Sequence, residues 1–335
     1  MIEIFFLIIS IILINIFFKK NQFLMNSNGQ SHQIYNQDYQ VPLSGGIFLM
    51  SYFYYNNQYF DFILISYLSI FFILGLFADL NIAKSPLYRF LGQILLIFFF
   101  VIYLDISIFD IRVNWINNLL ENYYFNIFFV LFCFLVLING ANFIDGNNGI
   151  SLGYFLIIFI LIFNLISKEL VFYDDTFLLS FLIILIIILI FNILNKLYIG
   201  DSGVYVLAVF SGYILIDIFA LNHNISPYFI VNIFWYPAFE ILFSLIRKIR
   251  SKYSPLIPDT NHLHQLLFYF YLKKINLRKK YLNSITGLSI NVFNGTILFL
   301  ASLQLTSTKI QIMFLAISLI IYLTSYFLLL KFKIN

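Results

Sequence analysis

Charge is scarce in this chain. Asp, Glu, Lys and Arg make up 10% of its 335 residues, against 62% hydrophobic and 21% aromatic. A soluble domain needs more charged surface than that, so an ordinary soluble globule is excluded. Strict apolar–polar alternation over about ten residues is also missing, which excludes a transmembrane β-barrel. No linker, low-complexity tract or internal repeat divides the chain, so residues 1–335 read as a single domain. The one cysteine, Cys133, cannot form an intrachain disulfide and reads as a packed thiol in an apolar run. The first apolar run carries Glu3 and lacks the basic start and small-residue cleavage site of a signal peptide. It reads as a retained first helix.

What is present is apolar sequence in long runs. A hydrocarbon core about 30 Å thick needs about 20 apolar residues in a helix. Backbone in lipid must satisfy its own hydrogen bonds, so these runs are expected to be helices. The expected fold is all-α: a polytopic membrane protein with about 10–11 spans. Eleven candidates lie near 2–18, 42–56, 60–77, 88–104, 122–138, 150–166, 176–193, 203–221, 227–246, 283–304 and 309–330. With the N-terminus outside and the C-terminus in the cytoplasm, inside loops hold 16 of the 19 Lys and Arg residues. Only Arg112, Lys168 and Lys309 fall outside. That bias sets the orientation.

Under this topology four polar loops share the cytoplasmic face: 78–88, 139–149, 194–202 and 247–282. The first carries Asp79 and Arg89 borders it; the second has Asn139, Asn142 and Asp145 in N-G-A-N-F-I-D-G-N-N-G. The third has Tyr198 and Asp201 in Y-I-G-D-S-G, and the fourth has Asp259, His262 and His264 in P-D-T-N-H-L-H-Q. Each alone is weak: an Asp at a helix end commonly caps it, and D-G and N-G pairs mark turns. On a helix, the i, i+2 spacing of the two histidines would point their rings apart. Together they suggest a reaction. Hard carboxylate and amide oxygens suit Mg²⁺ held by one or two carboxylates plus substrate phosphates. Glycines beside the acids admit close backbone approach. Histidines and a basic loop can hold phosphate charge.

From about residue 32 to 270 the chain resembles the polyprenyl-phosphate N-acetylhexosamine-1-phosphate transferases. The resemblance rests on V-P-L-S-G-G at Val41–Gly46, A-D-L, N-x-x-N-x-x-D-G, G-D-S-G and P-D-x-x-H-L-H, in that order. The last motif is closest to the UDP-GlcNAc:undecaprenyl-phosphate GlcNAc-1-phosphate transferases. The resemblance implies an Mg²⁺ enzyme, with Mn²⁺ as substitute, of the bacterial inner membrane. It would join a HexNAc-1-phosphate from a UDP-sugar to undecaprenyl phosphate and release UMP. That would be the first membrane step of cell-envelope polysaccharide or O-antigen synthesis, with no nucleic acid involved and often in a homodimer. The resemblance assigns catalysis to Asp79, Asp145, Asp201, His262 and His264, and the metal to Asp201 and Asp145. Substrate contacts fall to Asn139, Asn142, Tyr198, Asp259 and Arg89, with Tyr198 placed to stack on uracil. The chain departs from the pattern where relatives have a second acid before Asp79 (here Ala78), an Asp at Asn148 and a His at Gln265. A lipid-linked sugar flippase and a catalytically inactive homologue are the competing readings. Transporters, however, place polar residues near the midplane, often in repeats.

Overall fold

In a computed structural model, residues 2–25, 40–166, 174–252, 254 and 260–334 are described; Asp259 lies outside them. Thirteen helices and no strand occur among these residues. They are α1 (Ile2–Asn21), α2 (Gly45–Tyr55), α3 (Phe62–Asp79), α4 (Pro86–Tyr103), α5 (Asn114–Leu120), α6 (Tyr123–Ile144) and α7 (Ile150–Ile166). They continue with α8 (Asp175–Ile193), α9 (Gly200–Leu221), α10 (Pro227–Arg250), α11 (Leu263–Lys274), α12 (Lys279–Ser302) and α13 (Thr308–Ile334). Eight are long and apolar enough to cross a membrane: α3, α4, α6, α8, α9, α10, α12 and α13. The protein is an all-α, multi-pass membrane protein.

Local sequence sets many helix starts. Ser85-Pro86 and Ser226-Pro227 put proline at the first helical position, where its missing N–H costs nothing. The Asn122 side chain accepts from the N–H groups of Tyr124 and Phe125, and the Asp174 side chain from those of Thr176 and Phe177.

The expected eleven passages are all found as helices, though α2 has only 11 residues. At about 1.5 Å per residue it cannot span a bilayer alone. The following 3-10 turn, Asn57–Tyr59, extends its path. Gly45 N–H donates to Tyr198 O at one end of the bundle. At the other end Tyr59 Oη lies 3.5 Å from Thr176 Oγ1. The two short helices α5 and α11 occupy opposite ends.

The central element is α9. From Val204 to Phe210 every side chain is buried, and α2, α3, α6 and α7 pack around it. Lipid supplies no hydrophobic drive between helices, so close packing and hydrogen bonds must hold them. Gly75 of α3 shows how. A Cβ there would collide with the Ser202 backbone. The bare glycine lets α3 lie directly on the start of α9, and Asp79 follows one turn later on the same face.

Away from the core, Phe62, Leu95, Phe128, Val292, Ile320 and Leu328 are exposed, as lipid-facing side chains should be. At the far end, Arg112 donates to the carbonyls of Thr306, His223, Asn224 and Ile225 and to Thr308 Oγ1, tying three loops together.

Candidate active site

Three carboxylates meet where α3, α6 and α9 end or begin. Asp79 caps α9 from a neighbouring helix. Its Oδ1 accepts the Asp201 N–H at 2.8 Å; its Oδ2 accepts the Ser202 N–H at 3.1 Å and the Ser202 hydroxyl at 2.7 Å. The first N–H groups of a helix need such partners, and a carboxylate there suits the helix dipole. Gly200, at φ +72°, makes the turn that delivers these groups. Asp201 Oδ2 accepts from Arg89 Nη1 at 2.9 Å, with both side chains 27% exposed. Arg89 therefore faces the acidic cluster across the gap between α4 and α9.

Asp145 follows the last residue of α6 and is partly buried. Burial, with the charges of Asp201 and Asp79, pushes its carboxyl well above the usual carboxylate range. Asn142 sits one turn earlier, and its carbonyl accepts the Asp145 N–H at 3.2 Å. Asn139 is turned into the bundle, donating to Gln93 Oε1 at 2.7 Å and Leu135 O at 2.9 Å. Tyr198 is buried, not lipid-facing. Its hydroxyl donates to Asn195 Oδ1 at 3.4 Å, and burial and the Asp145 charge raise its pKa. Its backbone joins the Pro42–Gly46 segment: Tyr198 N–H donates to Pro42 O, and Tyr198 and Ile199 carbonyls accept from Gly45 and Gly46. The V-P-L-S-G-G motif is thus a brace for the Asp201 turn.

The histidine pair reaches the same cluster. His262 has extended backbone as the residue before α11, and His264 lies within the first turn. Their rings are stacked, with centroids 5.6 Å apart and planes 10° from parallel. The rings would diverge only if both residues were helical, and His262 is not. A Cβ at Gly146 would collide with His264 Nε2, so glycine after Asp145 lets the imidazole in. The Phe143 ring meets His262 edge-on at 5.2 Å, and Lys248 Nζ lies 5.9 Å from the Phe143 centroid.

Two departures from the resemblance have structural explanations. Asn148 belongs to an amide network: it accepts from Asn283 Nδ2 at 3.2 Å and donates to Asn195 Oδ1 at 2.7 Å. Asn283 Oδ1 also accepts from Asn147 Nδ2 at 2.6 Å. The Gln265 side chain reaches back to the His262 N–H at 3.2 Å, half of a capping box.

Sequence reasoning missed Glu240. It is buried in α10, and its Oε1 lies 2.9 Å from His262 Nδ1. A carboxylate inside an apolar run was the available signal.

Among the described residues, no three His, Cys, Asp or Glu side chains form a ready-made cation cage. The donor set nevertheless fits a hard divalent cation. Asp145 and Asp201 supply carboxylate oxygens, and the mutual repulsion felt at Asp145 is what a cation would relieve. Arg89 partly balances Asp201 already.

Residues 62–219 match glycosyl transferase family 4. The family is that of the polyprenyl-phosphate sugar-1-phosphate transferases, so the match supports a membrane-bound transferase of that general kind. The match spans α3 to α9 and contains Asp79, Arg89, Asp145 and Asp201; Glu240 and the histidine pair lie beyond it. No curated protein sequence matches the chain.

Proposed function

We propose that the protein transfers a HexNAc-1-phosphate from a UDP-sugar to undecaprenyl phosphate and releases UMP, using Mg²⁺. The observation that carries this reading is the convergence of Asp79, Asp145, Asp201 and Arg89 with the stacked His262–His264 pair at one end of the bundle. The charge bias of the loops supports a cytoplasmic location for that end, in a bacterial inner membrane. UDP-sugars and the lipid phosphate could then meet there.

The chemistry asks little covalent work of the protein. Phosphoryl transfer is governed by positioning and charge neutralisation. A phosphate monoester has a second pKa of about 6, so the lipid nucleophile is largely ionised near neutrality without a general base. Absence of a second acid at Ala78 is compatible with that. Asp79 acts differently, because by holding the Asp201 and Ser202 N–H groups it fixes where Asp201 points. When bound, Mg²⁺ would neutralise diphosphate charge and act as Lewis acid, with Asp201 and Asp145 as its protein ligands. Arg89, His262 and His264 would supply positive charge or hydrogen-bond donors to phosphate oxygens. Asn142 and Tyr198, beside Asp145, would meet the nucleotide.

The test is UMP release by purified protein given Mg²⁺, undecaprenyl phosphate and a panel of UDP-N-acetylhexosamines. Release that needs both substrates and stops with EDTA is expected, and the active sugar names the specificity. No release with any sugar, beside an active relative as control, would favour an inactive homologue. A flippase would need a sealed membrane; activity in detergent argues against it.

A further inference from the structure

α12 lies beyond the family match, yet it grips the loop that follows Asp145. Asn283, Gly287 and Asn291 recur every four residues, so they share one face of the helix. A Cβ at Gly287 would collide with the Asn148 carbonyl, so glycine lets the helix come down on the loop. One turn further on, Asn291 Nδ2 donates to Gly149 O at 2.6 Å. One turn earlier, Asn283 meets Asn147 and Asn148.

The sense of these contacts is fixed from one end. A backbone N–H can only donate, so the Asn283 atom that faces the Asn148 N–H at 3.1 Å is its oxygen. The same Oδ1 accepts from Asn147 Nδ2 at 2.6 Å. Asn283 therefore turns its Nδ2 to Asn148 Oδ1, 3.2 Å away. Asn148 must then turn its Nδ2 to Asn195 Oδ1, at 2.7 Å. Asn195 Oδ1 in turn receives the Tyr198 hydroxyl at 3.4 Å. Asn283 and Asn148 are buried, where a polar group that loses its partner is costly, so neither amide turns over freely. The charge of Asp145 acts on the Tyr198 hydroxyl, so the far end of this relay lies beside the acidic cluster.

We propose that Asn283 is a positioning residue for nucleotide binding: through Asn148 and Asn195 it holds the Tyr198 hydroxyl, and with it the ring that meets the base. The nucleotide role rests on the proposed function; the relay from α12 to Tyr198 does not.

The experiment uses full-length protein in nanodiscs labelled with meta-fluorotyrosine. The fluorine signal absent from Tyr198→Phe identifies Tyr198. Asn283→Ala removes every contact of the amide. Asn283→Asp keeps both accepting contacts and removes the donor to Asn148, so the loop stays held while the relay is broken. Both variants are expected to shift the Tyr198 signal. In turnover assays both, and Tyr198→Phe, should raise KM for the nucleotide sugar by about three- to tenfold, the scale of one lost hydrogen bond. Turnover at saturation should change by less than about twofold, as when binding alone is weakened. The dissociation constant of UMP should rise with KM. In a Tyr198→Phe background neither Asn283 change should raise KM further, because the end of the relay is already gone.

A purely structural Asn283 would lower thermal stability, leave the Tyr198 signal and KM in place and act additively with Tyr198→Phe; that result overturns the proposal. So does an unchanged KM in Tyr198→Phe. If wild type neither releases nor binds UMP, the proposed function falls and the nucleotide role with it, while the fluorine signal still decides the relay.

Discussion

Gly200 stands directly over the Asp79 carboxylate: a Cβ added to Gly200 would lie 2.6 Å from Asp79 Oδ2. The same glycine has φ +72°, where side chains are strained. Two independent constraints thus fall on one residue, and both serve the placement of Asp201. Asp79 cannot retreat without giving up the Asp201 and Ser202 N–H groups.

Gly200→Ala should therefore cost stability and activity together. The strained conformation alone is worth about 1–3 kcal/mol. A fall in the unfolding temperature in detergent, with loss of UMP release, is expected. Unchanged values of both would show that the turn relaxes freely.

The acids differ in what their loss should do. Asp201→Asn and Asp145→Asn are expected to lower turnover by about 100-fold or more, the scale of removing one charge-stabilising group. Each should also raise the Mg²⁺ concentration needed for half-maximal rate. Titration of rate against Mg²⁺ checks this; an unshifted Mg²⁺ curve in both variants would remove them from the metal site.

Metal-free stability should depend on pH through Asp145. Its carboxyl is raised in the fold, so the folded protein binds that proton more tightly than the unfolded chain, where the pKa is about 3.9. The associated stability is full below that value and is lost as pH rises through the raised folded pKa. Melting curves in EDTA should show the decline, and Asp145→Asn should flatten it. Added Mg²⁺ should restore stability on the alkaline side. A pH-independent wild type would contradict the assignment.

Asn148→Asp tests the amide network. An acid there would set a carboxylate oxygen against Asn195 Oδ1, which now accepts from Asn148 Nδ2 and from the Tyr198 hydroxyl. Relatives of the resembled type carry Asp at this position, yet in this chain it should destabilise by about 1–3 kcal/mol. Equal melting temperatures would mean the network rearranges.

The class of fold is legible in the sequence because it follows from local rules. Runs of apolar residues must become helices in lipid, and Ser-Pro starts and Asn or Asp caps mark where they begin. The acids are legible too, since Asp79, Asp145 and Asp201 stand out against so little charge. Glu240 is not, because its partners, His262 and Tyr322, are 22 and 82 residues away. Nothing near Glu240 in the chain announces them. The sequence points Asp79 to chemistry, while its hydrogen bonds show that it also caps α9.

The sequence by itself determined an all-α membrane protein, its eleven helical passages and the acids, amides and histidines of its polar loops. Those depend on composition and on contacts within a few residues. Only the tertiary structure decided that the His262 and His264 rings stack, that Gly146 admits His264, and that Glu240 stands behind His262. The contacts of Gly146 with His264 and of Glu240 with His262 require separate helices to approach within van der Waals distance, and the stacking depends on the extended backbone of His262 before α11. Helix propensity and hydropathy carry no information about that distance; it is set by which small residues meet at each crossing.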